Sequence, residues 1–237
     1  MERKDFLKNS VGILSLAGIA ASLDSCKKDS SGTTTGGGSG SCAVTATETD
    51  GPYPLYASRG SSIQRVDITE GKTGVPLNMT ITIKNVNNSC AVLENARVDV
   101  WHCDKDGYYS GYSNSGYLGT QNNTSKTFCR GLQYTDASGQ AKFTTVYPGW
   151  YTGRITHVHV QVYVGGNLKL TTQFAFPEAI TAAVYGTSLY VAHGQNTSVA
   201  SNTADGIFSD GLNTELSAVV ANSSGGYDLT HTIFVSA

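Results

Sequence analysis

Residues 148–160 read PGWYTGRITHVHV. Two imidazoles, His157 and His159, stand one residue apart in a Val-rich run, with a phenol, Tyr151, and a guanidinium, Arg154, just ahead of them. In an extended strand, alternate side chains point to opposite faces. His157, His159 and Gln161 then share one face, and Val158, Val160 and Val162 share the other and can enter a core. Two imidazoles at i and i+2 on one face can reach a single metal ion. They can also be two half-exposed strand histidines, and the spacing alone does not separate these readings.

What would complete a metal site narrows the choice. The next acidic residue, Glu178, lies too far on to serve as the glutamate that follows His-x-His in cupin-type sites. A zinc hydrolase needs a third histidine or a carboxylate nearby, and the nearest histidine, His102, belongs to another segment beside Trp101. Tyrosines are the better lead. There are 13, and two clusters stand out: DGYYSGY at 106–112 and PGWY at 148–151. A phenol ionises near pH 10, so as a ligand it needs a strong Lewis acid. Ferric iron is hard and favours phenolate oxygen, whereas zinc and Cu(I) suit imidazole and thiolate. A Tyr/Tyr/His/His set points to Fe(III).

These residues need a scaffold, and the pattern supplies one. NMTITIKNV (78–86) alternates apolar and polar residues as a half-buried strand does. ARVDVWHC (96–103) does the same and ends at the turn DKDG. GLQYTDASGQAKFTTVY reads as strand, turn, strand: a hairpin. RITHVHVQVYV, KLTTQFAF and DLTHTIFV complete the set, and PEAITAAVYG reads as a short helical turn or two. Many short strands, 27 glycines and few helical periodicities predict an all-β domain, a sandwich or barrel. Charged residues are 14% of the 237 and the formal net charge is −2, so there is no basic excess to hold nucleic acid.

The beginning of the chain reads differently. MERKDFLKN is a positive n-region, and VGILSLAGIAASL is an apolar run too short to span a bilayer. LDSC follows, which resembles a bacterial lipobox with Cys26 as the lipidated residue. RKDFLK resembles a twin-arginine signal with Lys4 in place of the second arginine. Residues 27–41 form a Gly/Ser/Thr linker. The expected organisation is a signal peptide at 1–26, a tether at 27–41 and a globular domain at 42–237 that meets a membrane only through its anchor. In an oxidising compartment Cys42, Cys90, Cys103 and Cys129 allow two disulfides in three connectivities.

ETDGPYP, VDVWHCDKDGYYSGY, CRGLQYTDASGQAKFTTVYPGWYTGRITHVHV and KLTTQFAFPE occur in that order. Together they resemble the intradiol ring-cleavage dioxygenases, and most closely their exported, single-domain branch. The resemblance runs from about Cys42 to the C-terminus, with its most specific part at 97–176. It implies a β-sandwich core with short helical turns and long loops. It implies Fe(III) held by Tyr109, Tyr151, His157 and His159, with Tyr108 as the neighbour that faces the other way if the segment is extended. Arg154 and Gln173 fall at the family's active-site arginine and substrate-proximal glutamine, and DGPY places Tyr53 near the pocket. The implied reaction cleaves a catechol with O2 between the hydroxyl carbons to a cis,cis-muconate, Tyr151 serving as ligand and base. The helical dimer segment of the cytoplasmic enzymes has no counterpart between the linker and ETDGPYP, so that dimer is not expected. Cys129 stands where leucine is usual, which suggests a disulfide peculiar to this chain. Rival readings are a binding sandwich without chemistry, the same fold acting on a larger or more hydroxylated diol, and a protein that sequesters iron or catechols.

Overall fold

The computed structural model describes residues 42–54 and 62–237, which fall in one compact unit, Ser41–Ala237. Cys26, the export signal and the linker lie outside the described residues.

Two sheets face each other. In the first, β1 (Pro76–Asn85) is the centre: it pairs in parallel with β11 (Tyr227–Val235), antiparallel with β7 (Gln140–Val146), and briefly with β2 (Ala91–Val92). β10 (Ala218–Ala221) adds to β11 at the edge. The second sheet runs β6 (Arg130–Tyr134), β3 (Arg97–Trp101), β8 (His157–Val164), β9 (Asn167–Ala175). A small ribbon, β4 (Ser113–Gly116) with β5 (Gly119–Asn122), stands apart.

The alternation read in the sequence produces the core. Leu77, Met79, Ile81 and Ile83 of β1 are buried with Leu229 and Ile233 of β11 against Val98 and Val100 of β3 and Val158, Val160 and Val162 of β8. Each such side chain contributes roughly 1.5–3 kcal/mol on burial. This is the β-sandwich expected.

The expected 131–147 hairpin differs. β6 pairs with β3, and β7 pairs with β1 across seven residues, Pro76 to Thr82. The turn at Asp136–Gly139 keeps hairpin chemistry, with Asp136 N–H donating to Gln140 O at 3.0 Å. It bridges the two sheets instead of closing one pair. Each strand finds a partner whose buried face matches its own, and two residues of turn cannot outweigh that.

One short helix, α1 (Glu178–Tyr185), braces the segment ahead of β8. Its Tyr185 hydroxyl donates to Pro148 O at 3.2 Å and also contacts the Thr156 hydroxyl. Glu178 accepts from Asn202 N–H at 2.7 Å and takes no part in the histidine cluster.

Only one disulfide forms among the described residues, Cys42–Cys90, with Cα atoms 6.1 Å apart. Cys103 and Cys129 are free and buried, so the disulfide expected of Cys129 is not made. Cys129 packs instead beside Phe128 and Val146. The Cys42–Cys90 bond ties down a strap, residues 42–54, that crosses the sheets with few strand contacts. Thr45 N–H donates to Phe234 O at 3.0 Å, and Glu48 N–H donates to Thr171 O at 2.9 Å. The bridge spans a sequence separation of 48, and closing a loop of that size removes about 4 kcal/mol of unfolded-chain entropy as an upper bound. Cys90→Ser should therefore lower the unfolding free energy extracted from denaturant unfolding by up to about that value and expose the strap to protease before the rest of the domain. Equal protease resistance in Cys90→Ser and wild type would contradict the role given to this bond.

Candidate metal centre

The segment before β8 and the turn after β3 meet back to back. Asp104 is buried and organises the second of these: its carboxylate accepts from Asp106 and Tyr108 N–H, each at 3.0 Å, and from Lys72 Nζ at 2.6 Å. Gly107 has φ +84°, and a Cβ there would stand 2.2 Å from Trp150 O; a Cβ on Gly149 would stand 2.3 Å from Lys105 O. Two glycines thus let two main chains touch. The contact sets Tyr109 from one turn beside Tyr151 from the other.

Four donor atoms converge. His157 Nε2 is 3.1 Å from His159 Nε2, 3.2 Å from Tyr109 Oη and 3.3 Å from Tyr151 Oη. His157 Nδ1 donates to Ile155 O at 2.6 Å. A carbonyl can only accept, so the proton sits on Nδ1 and Nε2 presents its lone pair inward. Burial drives both histidines well below their ordinary pKa, with Arg154 lowering His157 further and the His157 charge lowering His159, so both are neutral at physiological pH. Burial also pushes Tyr109 well above 10 and Tyr151 up to about 12. Without a cation these phenols stay protonated.

The donor set fits a metal ion. One lone pair on His157 faces two phenols and a second imidazole, which is more than a single hydrogen-bonding site can satisfy. Donors about 2.1 Å from a shared ion lie roughly 3.0–3.4 Å from one another at octahedral to tetrahedral angles, which is the spacing observed. Two phenol oxygens in a set of four favour ferric iron over softer ions.

The other residues expected at the site are placed as follows. Arg154 Nε bonds both Asp205 oxygens, at 3.0 and 2.9 Å, and its Nη2 donates to Gln173 Oε1 at 2.7 Å. Its Nη1 is 3.4 Å from His157 Nε2. Gln173 in turn donates from Nε2 to Thr49 O at 2.8 Å. Tyr53 stacks on Tyr109, ring centroids 4.8 Å apart. Tyr108 points elsewhere, donating to Gly119 O at 2.8 Å and accepting from Leu118 N–H. His102 uses both ring nitrogens, at Cys103 O and Thr145 Oγ1, and burial lowers it to about 4. Both histidines of the His-x-His pair are 1% exposed, which removes the half-exposed reading.

Sequence reasoning missed several partners. Asp205 is fully buried, and besides Arg154 it accepts from Ile155 N–H at 2.8 Å and Ile207 N–H at 2.9 Å. Trp101 stacks flat on His159 at 5.0 Å. Arg130 is buried over the Tyr109 and Tyr112 rings and donates to Ser110 O and Tyr53 O. Gly51 lies so close to His159 that a Cβ would stand 2.9 Å from its Cε1. Neither TADGIF nor CRG carries a local pattern that singles out Asp205 or Arg130.

An open groove of about 720 Å³ reaches the centre past Pro52, Tyr53, Tyr117, Trp150 and His193, and Tyr151 forms part of its wall. Tyr109, His157 and His159 lie behind and do not line it.

This architecture has known counterparts. An intradiol ring-cleavage dioxygenase from Tetranychus urticae superposes with a TM-score of 0.71 at 26% identity, over 82% of this chain and 95% of that one. The chain has the fold of the intradiol ring-cleavage dioxygenases. A second member of that fold, the dioxygenase domain of a dioxygenase–carbohydrate-binding fusion from Streptomyces sp. SirexAA-E, superposes with a TM-score of 0.58 at 26% identity, over 82% and 99% of the two chains. Chlorocatechol 1,2-dioxygenases from Cupriavidus pinatubonensis and Burkholderia cepacia are each 29% identical over 150 residues, 54% of this chain and 52% of theirs. The chain spans about half the length of those curated relatives. No protein-family model matches it.

Gly107→Ala tests the back-to-back turns. The added Cβ meets a backbone carbonyl and an L-residue is forced to positive φ, which together should cost roughly 2–4 kcal/mol and part Tyr109 from Tyr151. Urea unfolding measures the first effect and iron stoichiometry the second.

Proposed function

We propose that this chain is a non-haem Fe(III) intradiol dioxygenase that cleaves a catechol-type diol with O2 to a cis,cis-muconate-type product. The observation that carries the reading is the arrangement of two phenols and two neutral imidazoles around one point, with a single one of them, Tyr151, facing the groove. The relatives named as dioxygenases and chlorocatechol dioxygenases support the same class.

Tyr109, His157 and His159 would hold the metal from the protein side, and Tyr151 would complete the set from the groove side. Bound ferric iron would supply the Lewis acidity that lets a diol lose its second proton near neutral pH and that opens its ring to O2. The groove is walled by aromatic side chains, Tyr53 and the stacked series Trp150, His193 and Tyr117, which suits it to an aromatic ring. Tyr151 Oη is the donor an entering diol meets first, and in this reading it accepts a diol proton. Arg154 has its Nε and Nη2 fixed by Asp205 and Gln173, so its charge is held at the edge of the centre without reorganising. A guanidinium so placed stabilises negative charge that develops on the ring. Asp205 touches no substrate; it positions Arg154.

The test is oxygen uptake by iron-loaded protein with a panel of diols, the ring-opened product being followed by its ultraviolet absorbance. Tyr109→Phe and His157→Ala should lose iron and the tyrosinate–iron colour. Tyr151→Phe should keep iron on three donors and slow turnover about 10²–10⁴-fold, the usual range for loss of a general base. Arg154→Ala should slow it about 10²-fold or more with iron content intact. Wild-type protein that changes colour with catechols but consumes no oxygen would replace this reading with iron or catechol sequestration.

The reading extends to location. LDSC following the apolar run supports a lipid anchor at Cys26, with the linker holding the domain off an exported membrane face. Cys26→Ser should move the protein from the membrane fraction to the soluble one or arrest its maturation. An acylated, membrane-bound product from that variant would refute the anchor.

A further inference from the structure

The residues that clamp Arg154 lead to a second cluster. Thr49, whose carbonyl holds Gln173, is preceded by Glu48 on the strap. Asp210 and Glu215 lie on the segment that follows Asp205. One carboxylate oxygen from each of Glu48, Asp210 and Glu215 lies within 4.8 Å of the other two. Glu215 is 1% exposed, and its oxygens meet no N–H or hydroxyl donor; their one hydrogen-bonding neighbour is the Glu48 carboxyl itself. None of the three forms an ion pair with lysine or arginine among the described residues.

That is an expensive arrangement. A buried carboxylate normally accepts hydrogen bonds or pairs with a cation. Here the nearest charges are two more carboxylates. Burial, then Glu48 and Asp210, push the Glu215 carboxyl up to about 8, and burial and Asp210 raise Glu48. Arg154 lowers Glu48 only in part, since it is already spent on Asp205. At neutral pH the cluster needs either a shared proton or a bound cation.

We propose that Glu48, Asp210 and Glu215 form a binding site for a hard divalent cation of the calcium class, separate from the Tyr/His centre. All the donors are oxygen, which excludes a preference for soft metals. Glu215 supplies a buried ligand with no neighbour but another carboxyl, and Asp210 on the exposed side leaves room for water to complete the six to eight oxygens that calcium takes. Magnesium, which demands a tighter octahedron and gives up water reluctantly, fits less well.

The site has a structural consequence. Strap and segment already touch, Ala46 N–H donating to Thr214 Oγ1 at 3.1 Å. A cation among the three carboxylates would lock together the strap that carries Gly51 and Tyr53 and the segment that carries Asp205. Both flanks of Arg154 would then be fixed by one ion.

The experiment is calcium titration of the full chain after EGTA treatment, by calorimetry and by thermal unfolding. Expected are one site, with a dissociation constant on the order of 10⁻⁴–10⁻³ M, the weak end of oxygen-ligand calcium sites, and a melting midpoint that rises with calcium by mass action. Glu215→Gln should abolish the calcium response. Because Gln resembles the protonated acid, that variant should fold and should melt no lower than calcium-free wild type at pH 7.5. Asp210→Asn should weaken calcium more than about tenfold through loss of one ligand charge. The proposal is overturned if wild type shows neither heat nor a midpoint shift at about 10 mM calcium, ten times the weak end of that range. It is also overturned if Glu215→Gln shifts as wild type does. A midpoint that falls as pH rises towards 8, with calcium inert, would instead identify a carboxyl–carboxylate pair sharing a proton.

Discussion

Two imidazole nitrogens face each other at 3.1 Å on the buried outer face of β8, and the structure around them is organised by that contact. His157 cannot turn its lone pair away, because its other nitrogen is committed to Ile155 O. His159 cannot swing out, because Trp101 lies flat on one side of it and Gly51 crowds its Cε1. Two phenols then close on the same nitrogen. A cluster of neutral donors with so few hydrogens to share is poorly satisfied by itself and well satisfied by one cation. The scaffold therefore has to hold the donors in place without help from their mutual attraction. It does so by burying β8 on both faces: Val158, Val160 and Val162 anchor one side in the sandwich core, and the alternation of the strand delivers His157 and His159 to the other.

Charge is managed one layer out. Arg154 is the cation nearest the centre, and it helps keep His157 neutral. A guanidinium half-buried beside unprotonated imidazoles would be costly alone. Asp205 offsets it, and the Asp205 carboxylate is itself held by two backbone N–H groups. The chain of contacts runs Asp205, Arg154, Gln173, Thr49, so the orientation of one guanidinium depends on segments more than a hundred residues apart. The strap from Cys42 to Pro54 belongs to the site as much as β8 does, although it contributes little to the sheets.

Legibility in the sequence followed the range of the interaction. The strand alternation of β1, β8 and β11 was readable because period two is local and burial enforces it. His157 and His159 were readable for the same reason, though what lies over them was not. Tyr109 could not be told from Tyr108 by pattern: the turn at Asp104–Gly107 decides which ring turns inward, and that turn depends on the approach of Trp150. The resemblance to a family named the residue that the structure brings to the cluster. Asp205, Trp101 and Arg130 left no trace, because each acts through a partner distant in sequence. The 131–147 hairpin misled because turn chemistry is local while strand pairing is not. The disulfide expected at Cys129 failed similarly, since one thiol in a sequence says nothing of what packs beside it.

The asymmetry of the four donors bears on how one centre can both keep a metal and admit a substrate. Three of them are sealed. Tyr109 is wedged beneath Tyr53 and Arg130, His159 against Trp101, and His157 is bound to its own backbone. Moving any of them requires repacking core, which costs several kcal/mol. Tyr151 differs: it is half-buried, it borders the groove, and its residue opens the turn whose Gly153 has φ +89°. Its ring can be displaced without disturbing either sheet. A site with four equally buried donors would bind metal tightly and exclude any further ligand. In the proposed site, one donor on a loop at the groove wall would let Tyr151 give way to an entering ligand, while Tyr109, His157 and His159 would stay fixed as the residues that hold a metal.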